Sequence, residues 1–250
     1  MGVPAAYRAV VLGDTLEAMR AAALVANDGG GYFPAMYARV TQRVIDDAEA
    51  GRFADDARMA AFVVEFANRY LDARADPSSA ARCWRGSFDV AGDPALLIVQ
   101  HLLLGINAHV NFDLPQAVVR LVDGGAELDG IRPDFEAVNG ILAATYDDIM
   151  SDLDRVTRWT SKAGASGGGW IFNFSLRAAR EQAWRASVRL AGETEPARRD
   201  DLALLDDLVA VLAFLVTRPK PPVRWLVPLL RRLETRDPDR VIRALLGPLA

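Results

Sequence analysis

The chain has 250 residues, 51% of them apolar and 25% charged, with a formal net charge of −4. That balance excludes intrinsic disorder and leaves material for a sizeable core, in one large domain or two small ones. The acidic pI near 5.3 argues against a dedicated nucleic-acid binder. A single cysteine, Cys83, excludes internal disulfides and cysteine-rich metal sites, and two histidines exclude a three-imidazole site.

The start Met1-Gly2-Val3-Pro4 leads into no basic stretch followed by an apolar core, so no signal peptide is expected. Ala6 stands where a myristoylation signal needs Ser or Thr. No uncharged apolar run reaches the roughly 18–20 residues of a membrane span. The nearest, Leu202 to Val216, contains Asp206 and Asp207 and reads as an amphipathic helix. Cytoplasmic residence is the expectation. Among the 29 basic residues only Lys162 and Lys220 are lysines. Heavy arginine, alanine and aspartate use fits a GC-rich bacterial coding sequence, and arginine suits carboxylate or phosphate recognition.

Helical spacing dominates from the first element onward. Val3 to Val25 predicts a helix that Asn27-Asp28 and three glycines stop. Tyr37, Val40, Val44 and Ile45 mark a second, closing near Gly51, and Asp56 to Leu71 a third, ended by Pro77-Ser78-Ser79. Asp93-Pro94 offers a cap and a first-turn proline for a helix over Ala95 to Asn111. Pro115 sets a boundary before a short helix, Gln116 to Val122. After Pro133 a long segment runs from Asp134 to Trp159, and glycines at 164–169 form a loop. Trp170 to Leu190, Pro196 to Val216, Val223 to Leu233 and Pro238 to Leu246 complete a count of about ten. Strand signals are scarce, with only Phe88-Asp89-Val90 available for local pairing, and no repeat period appears. The fold class expected is all-α, one helical-bundle domain over 1–250.

The most informative stretch runs from His101 to Pro115, HLLLGINAHVNFDLP. Both histidines of the chain lie on this apolar helix. At 100° per residue His101, Gly105, His109 and Asp113 fall within an arc of about 120°. His109 and Asp113 are four apart, so they can meet or share one divalent ion with water. His101 sits about 12 Å further up the axis, too far to share that ion easily, and suits a supporting role or a separate base. Gly105 marks either a kink or a close approach by a neighbouring helix. Asn107 and Asn111 need partners if buried, which implies a polar interior of the kind that holds ligands in helical bundles. The ordinary alternative is a satisfied polar core, with Asp113 capping the next helix.

This run, with Val138-Asn139 and Ala179-Arg180-Glu181-Gln182-Ala183-Trp184, resembles an uncharacterised family of bacterial proteins common in actinobacteria. The resemblance covers roughly residues 30 to 215. It implies a polar cluster of His101, His109, Asp113, Asn139 and Arg180 beside Trp184, and supplies no activity. Against it, Arg177, Arg180, Trp184 and Arg185 also fit an ordinary surface stripe.

Rival motifs are weaker. Asp147, Asp148 and Asp152 form a DDxxxD pattern like the magnesium-binding aspartates of class I terpene synthases. Asn173, Arg177 and Glu181 have the spacing of the second magnesium motif, but an arginine would repel the ion. Gly164 to Gly168 matches G-x-S-x-G, yet no strand precedes it as a nucleophile elbow requires. Phosphate loops, HExxH and Glu-x-x-His pairs are absent. The basic, aromatic stretch Arg218 to Arg232 suits an anionic membrane surface, with docking onto the core as the preferred reading.

The expectation is an enzyme with a buried pocket centred on His109 and Asp113, either metal-assisted or a metal-free acid/base pair. His101 is expected as a further catalytic residue, Asn107, Asn139 and Arg180 as substrate-binding residues, with Arg180 anchoring an anionic group, and Trp184 as a wall of the pocket. The substrate expected is small and largely apolar. The competing expectation is a non-catalytic small-molecule-binding or interaction module.

Overall fold

The computed structural model describes residues 11–157 and 168–247, with side chains for all of these except 168–174. The helices are α1 (Leu12–Leu24), α2 (Tyr32–Glu49), α3 (Asp56–Ala75), α4 (Arg82–Phe88), α5 (Ile98–Ala108), α6 (Leu114–Asp123), α7 (Leu128–Leu153), α8 (Gly168–Ala191), α9 (Glu195–Thr217), α10 (Val223–Arg231) and α11 (Pro238–Leu246). Among the described residues there is no sheet, only an isolated bridge between Thr157 and Glu234. The all-α bundle expected from periodicity is what forms. Of the first expected helix, residues before Val11 lie outside the described residues, as do 164–167 and with them the G-x-S-x-G match.

Local chemistry explains where the boundaries fall. Asp55 caps α3 by accepting from the Arg58 amide at 2.9 Å, and Asp237 does the same for α11 with Arg240. Asp93 accepts from the Ala95 amide at 2.9 Å, but this closes a turn, and α5 starts only at Ile98. The Gln100 side chain satisfies the Leu97 amide at that start, 2.9 Å away. Gly168 and Gly169, expected in a loop, already belong to α8. Helix α7 starts at Leu128 and carries Pro133 inside it. The missing proline N–H faces Asp129, in the first turn, so a single carbonyl near the helix end loses its donor. Residues 82–88 form α4, a helix of seven residues, too short to show a period.

The main core gathers Phe33, Tyr37, Phe62, Phe66, Tyr70, Trp84, Leu114 and Phe135, and a second cluster gathers Ile98, Leu102, Ile149, Leu153 and Ile242. Helix α2 presses closely on α5. A Cβ on Gly105 would lie 2.4 Å from the Phe33 ring, so glycine there answers a helix contact. The docking expected of residues 218–232 is slight, with Arg231 Nε donating to the Pro94 carbonyl at 2.9 Å. No residue of α10 is buried, and Trp225 is 71% exposed. The terminal helix that packs is α11, whose Val241, Ile242 and Leu245 fill the place beside α2 and α7.

Candidate functional site

Between α5 and α6 the backbone widens into a π-helical turn, His109–Asp113, where the Leu114 amide donates to the His109 carbonyl five residues back. Such turns insert one residue into a helix and recur at functional sites. Pro115 follows directly and supplies no amide to the turn before it. Asp113 is the last residue of the turn, and its side chain does not cap α6. It turns inward, where His109 Nδ1 lies 3.0 Å from Asp113 Oδ2 and the Trp84 indole N–H donates to the same oxygen at 2.9 Å.

Both partners are buried, His109 to 2% exposure. The Trp84 indole can only donate, so Oδ2 accepts there, and an Nδ1–H on His109 completes the pair. That leaves Nε2 as the lone-pair nitrogen, buried and without a hydrogen-bond partner among the described residues. The Phe66 ring stacks on the imidazole at 3.5 Å, and Tyr37 and Phe33 meet it edge-on at 4.8 and 5.3 Å. Burial pushes the His109 pKa below its ordinary value, and the Asp113 contact works against that. Burial raises Asp113, opposed by His109 and Trp84. Desolvation governs both directions and favours a neutral imidazole.

His109 stands in the wall of a cavity of about 230 Å³. Helix α5 contributes Ile98, Val99, Leu102, Leu103 and Ile106, and the π turn adds His109, a single face at three- and four-residue spacing. Opposite stand residues of α2, α3 and α7, with Arg180 of α8 and Glu234 the charged members of the wall. The hydroxyls of Thr41, Thr145 and Thr157 donate to helix carbonyls four residues back.

The other expected site residues divide. Arg180 is 3% exposed; its Nε donates to Asn139 Oδ1 at 2.8 Å and its Nη2 to the Phe135 carbonyl at 2.5 Å. Arg180 and Asn139 are thus joined, but only Arg180 reaches the cavity. Trp184 packs on Phe135 and under the Arg132 guanidinium, away from the cavity wall, so it does not wall the pocket. Asn107 donates to the Val209 carbonyl and accepts from Asn111, which ties α5 to α9. His101 lies elsewhere, edge-on to Tyr32 and against Gly29, where a Cβ would come within 2.5 Å of its ring. It is absent from the cavity wall and does not join His109.

Sequence reasoning missed Trp84, Phe66, Tyr37 and Phe33. Their type and helical spacing are those of any core aromatic, and only the fold shows that they surround an imidazole.

Two other chemistries meet obstacles. Nδ1 and Oδ2 face one another at hydrogen-bonding distance, with no gap for an ion between them, so Nε2 is the nitrogen left to a cation. Among the described residues no group of three or more His, Cys, Asp or Glu gathers with metal-binding geometry. Of the DDxxxD aspartates, Asp148 pairs with Arg43 at 2.5 Å and Asp152 with Arg39 at 2.6 Å, while Asp147 is exposed. None lines the cavity, and Glu181 is engaged by Arg132. Arginines occupy Asp148, Asp152 and Glu181 among the carboxylates that magnesium would need.

No curated protein and no solved structure matches the chain significantly. Among the described residues no helix is long and apolar enough to cross a membrane. The model of a family of unknown function, DUF5995, matches residues 11–219, and the chain belongs to that family.

Proposed function

We propose that this chain is an enzyme that moves a proton within a small, largely apolar molecule held in the cavity, with His109 as the base and acid. One observation carries the reading: an imidazole held through Nδ1 by a buried carboxylate, its Nε2 unpartnered, in the wall of a large apolar cavity. Nε2 takes a proton from the bound molecule, Asp113 stabilises the imidazolium formed, and the proton returns at a second position. Asp113 and Trp84 are positioning residues, since they act through the ring. The threonine hydroxyls of the wall are spent on helix carbonyls, and burial raises the phenols of Tyr37 and Tyr146 above their ordinary value. That favours proton relocation, as in an isomerisation or cyclisation, over covalent catalysis. The low dielectric that holds His109 neutral also keeps it available as a base at neutral pH.

The test is conversion. A small-molecule extract incubated with wild type and with His109→Gln, then compared by mass spectrometry, should contain a compound consumed only by wild type. Compounds retained by both proteins and altered by neither would instead make this a binding module, the second reading that the apolar walls support.

A further inference from the structure

We propose that the cavity takes an elongated apolar molecule ending in a carboxylate, with the carboxylate on Arg180 and the chain lying along α5. This extends the reading of the same cavity given above and names the class of its ligand.

Arg180 is the observation that carries it. Other sheltered arginines have a carboxylate partner: Arg39 with Asp152, Arg58 with Asp134, Arg69 with Glu65, Arg198 with Asp123. Arg180 is the most deeply buried of these and has no carboxylate within ion-pair distance among the described residues. Its two bonded nitrogens face neutral acceptors, Asn139 and the Phe135 carbonyl, and Nη1 has no acceptor among the described residues. A guanidinium taken out of water and left without an anion is costly, and burial accordingly pulls its pKa down to about 10. It lines the cavity, with its guanidinium 4.2 Å from the centre of the Phe135 ring. A single buried cation with one nitrogen to spare matches a monoanion better than a phosphate, which needs more positive charge to leave water.

The shape of the cavity supplies the rest. Along α5 and into the π turn the wall runs from Ile98 to His109, about 16 Å at 1.5 Å per residue. Arg180 bonds to the Phe135 and Asn139 end of α7, where Val138 lines the cavity, and α8 packs against the His109–Asp113 turn. Glu234 lies at the opposite end, accepting from the Ile98 amide at 3.1 Å. Between them stand Leu102, Ile106, Leu142 and Ile149. The charge order is therefore cation at the histidine end, hydrocarbon through the middle and carboxylate at the far end. The volume of about 230 Å³ exceeds the roughly 150 Å³ that accommodates benzene, and scales to a ligand of on the order of ten non-hydrogen atoms.

Calorimetric titration with decanoate, decan-1-ol and decylamine at pH 7.5 tests this directly. Wild type should bind decanoate about tenfold or more tightly than the alcohol, and the amine more weakly than either. Arg180→Met, which replaces the charge by apolar volume, should still bind the alcohol and lose the preference for decanoate. Equal affinities for acid and alcohol in wild type, or a preference that survives Arg180→Met, would overturn the proposal, and so would failure of wild type to bind decanoate. Should Arg180→Met not fold, the wild-type comparison decides alone. Decanoate binding that stays at the wild-type level in His109→Gln, with no compound converted by wild type, would sink the catalytic reading and leave this one standing.

Discussion

His101 and His109 leave the same helical run eight residues apart, and their surroundings differ in kind. His101 fills a tight space against Gly29 and Tyr32, its ring in hydrogen-bonding contact with the Asp93 carbonyl. His109 is held by a carboxylate and an indole on one side, and its ring joins a cavity wall. Burial lowers the pKa of both. Burial and a shifted pKa therefore do not distinguish the two. The geometry of the second ring nitrogen does, together with the space beside the ring.

The sharpest way to break the contrast is Asp113→Ala. It leaves the His109 and Trp84 donors without their acceptor inside the core, two orphaned donors at about 1–3 kcal/mol each in denaturant unfolding. No substitution at His101 should approach that loss. Between the two histidines, Gly105→Ala drives a methyl group into the Phe33 ring and should cost about 1–3 kcal/mol, read the same way. Trp84→Phe keeps the packing and removes one donor from Asp113, at about 1–3 kcal/mol. It should also lower turnover of any substrate found by the conversion assay, while His101→Gln leaves turnover close to wild type and costs about 1 kcal/mol.

The smallest effects are in pH. Each histidine has a folded pKa depressed below its unfolded value near 6.5, so the unfolded chain binds more protons. The stability they contribute is present above about pH 6.5 and lost as pH falls through the folded values. Replacing either by glutamine should flatten that loss in a pH series of unfolding curves. At the alkaline end the sign reverses. Burial raises Tyr32 and Tyr70 to about 12, so stability should decline as pH climbs from about 10 towards 12.

Much of the fold was legible because apolar spacing follows the core face of each long helix. The failures are local. α4 is shorter than two helical periods, the Asp93-Pro94 cap signal closes a turn before α5, and Pro133 sits where a helix tolerates it. At the site, the spacing of His109 and Asp113 was enough to foresee their contact. It was equally consistent with drawing His101 and Asn107 into the same cluster, because residues on one arc separate only when neighbouring helices choose sides. Trp184 shows the same limit from the other direction: it shares a helix with Arg180, yet packs on Phe135 and Arg132 away from the cavity. The partner of Asp113 is another tryptophan, brought by a helix without a sequence signature.

The π-helical turn at His109–Asp113 has a consequence for inheritance. It holds one residue more than an α-helical path, so everything before it is out of phase with everything after it by one position. Deleting Phe112 would return the stretch to a regular helix with its helical content intact. Because the turn absorbs its extra residue locally, α5 and α6 would keep their facings, and His109 and Asp113 would stand three apart instead of four. A descendant that shortens this turn by one residue keeps the bundle and resets only this pair, so the change would show at the His109–Asp113 contact before it showed in the fold.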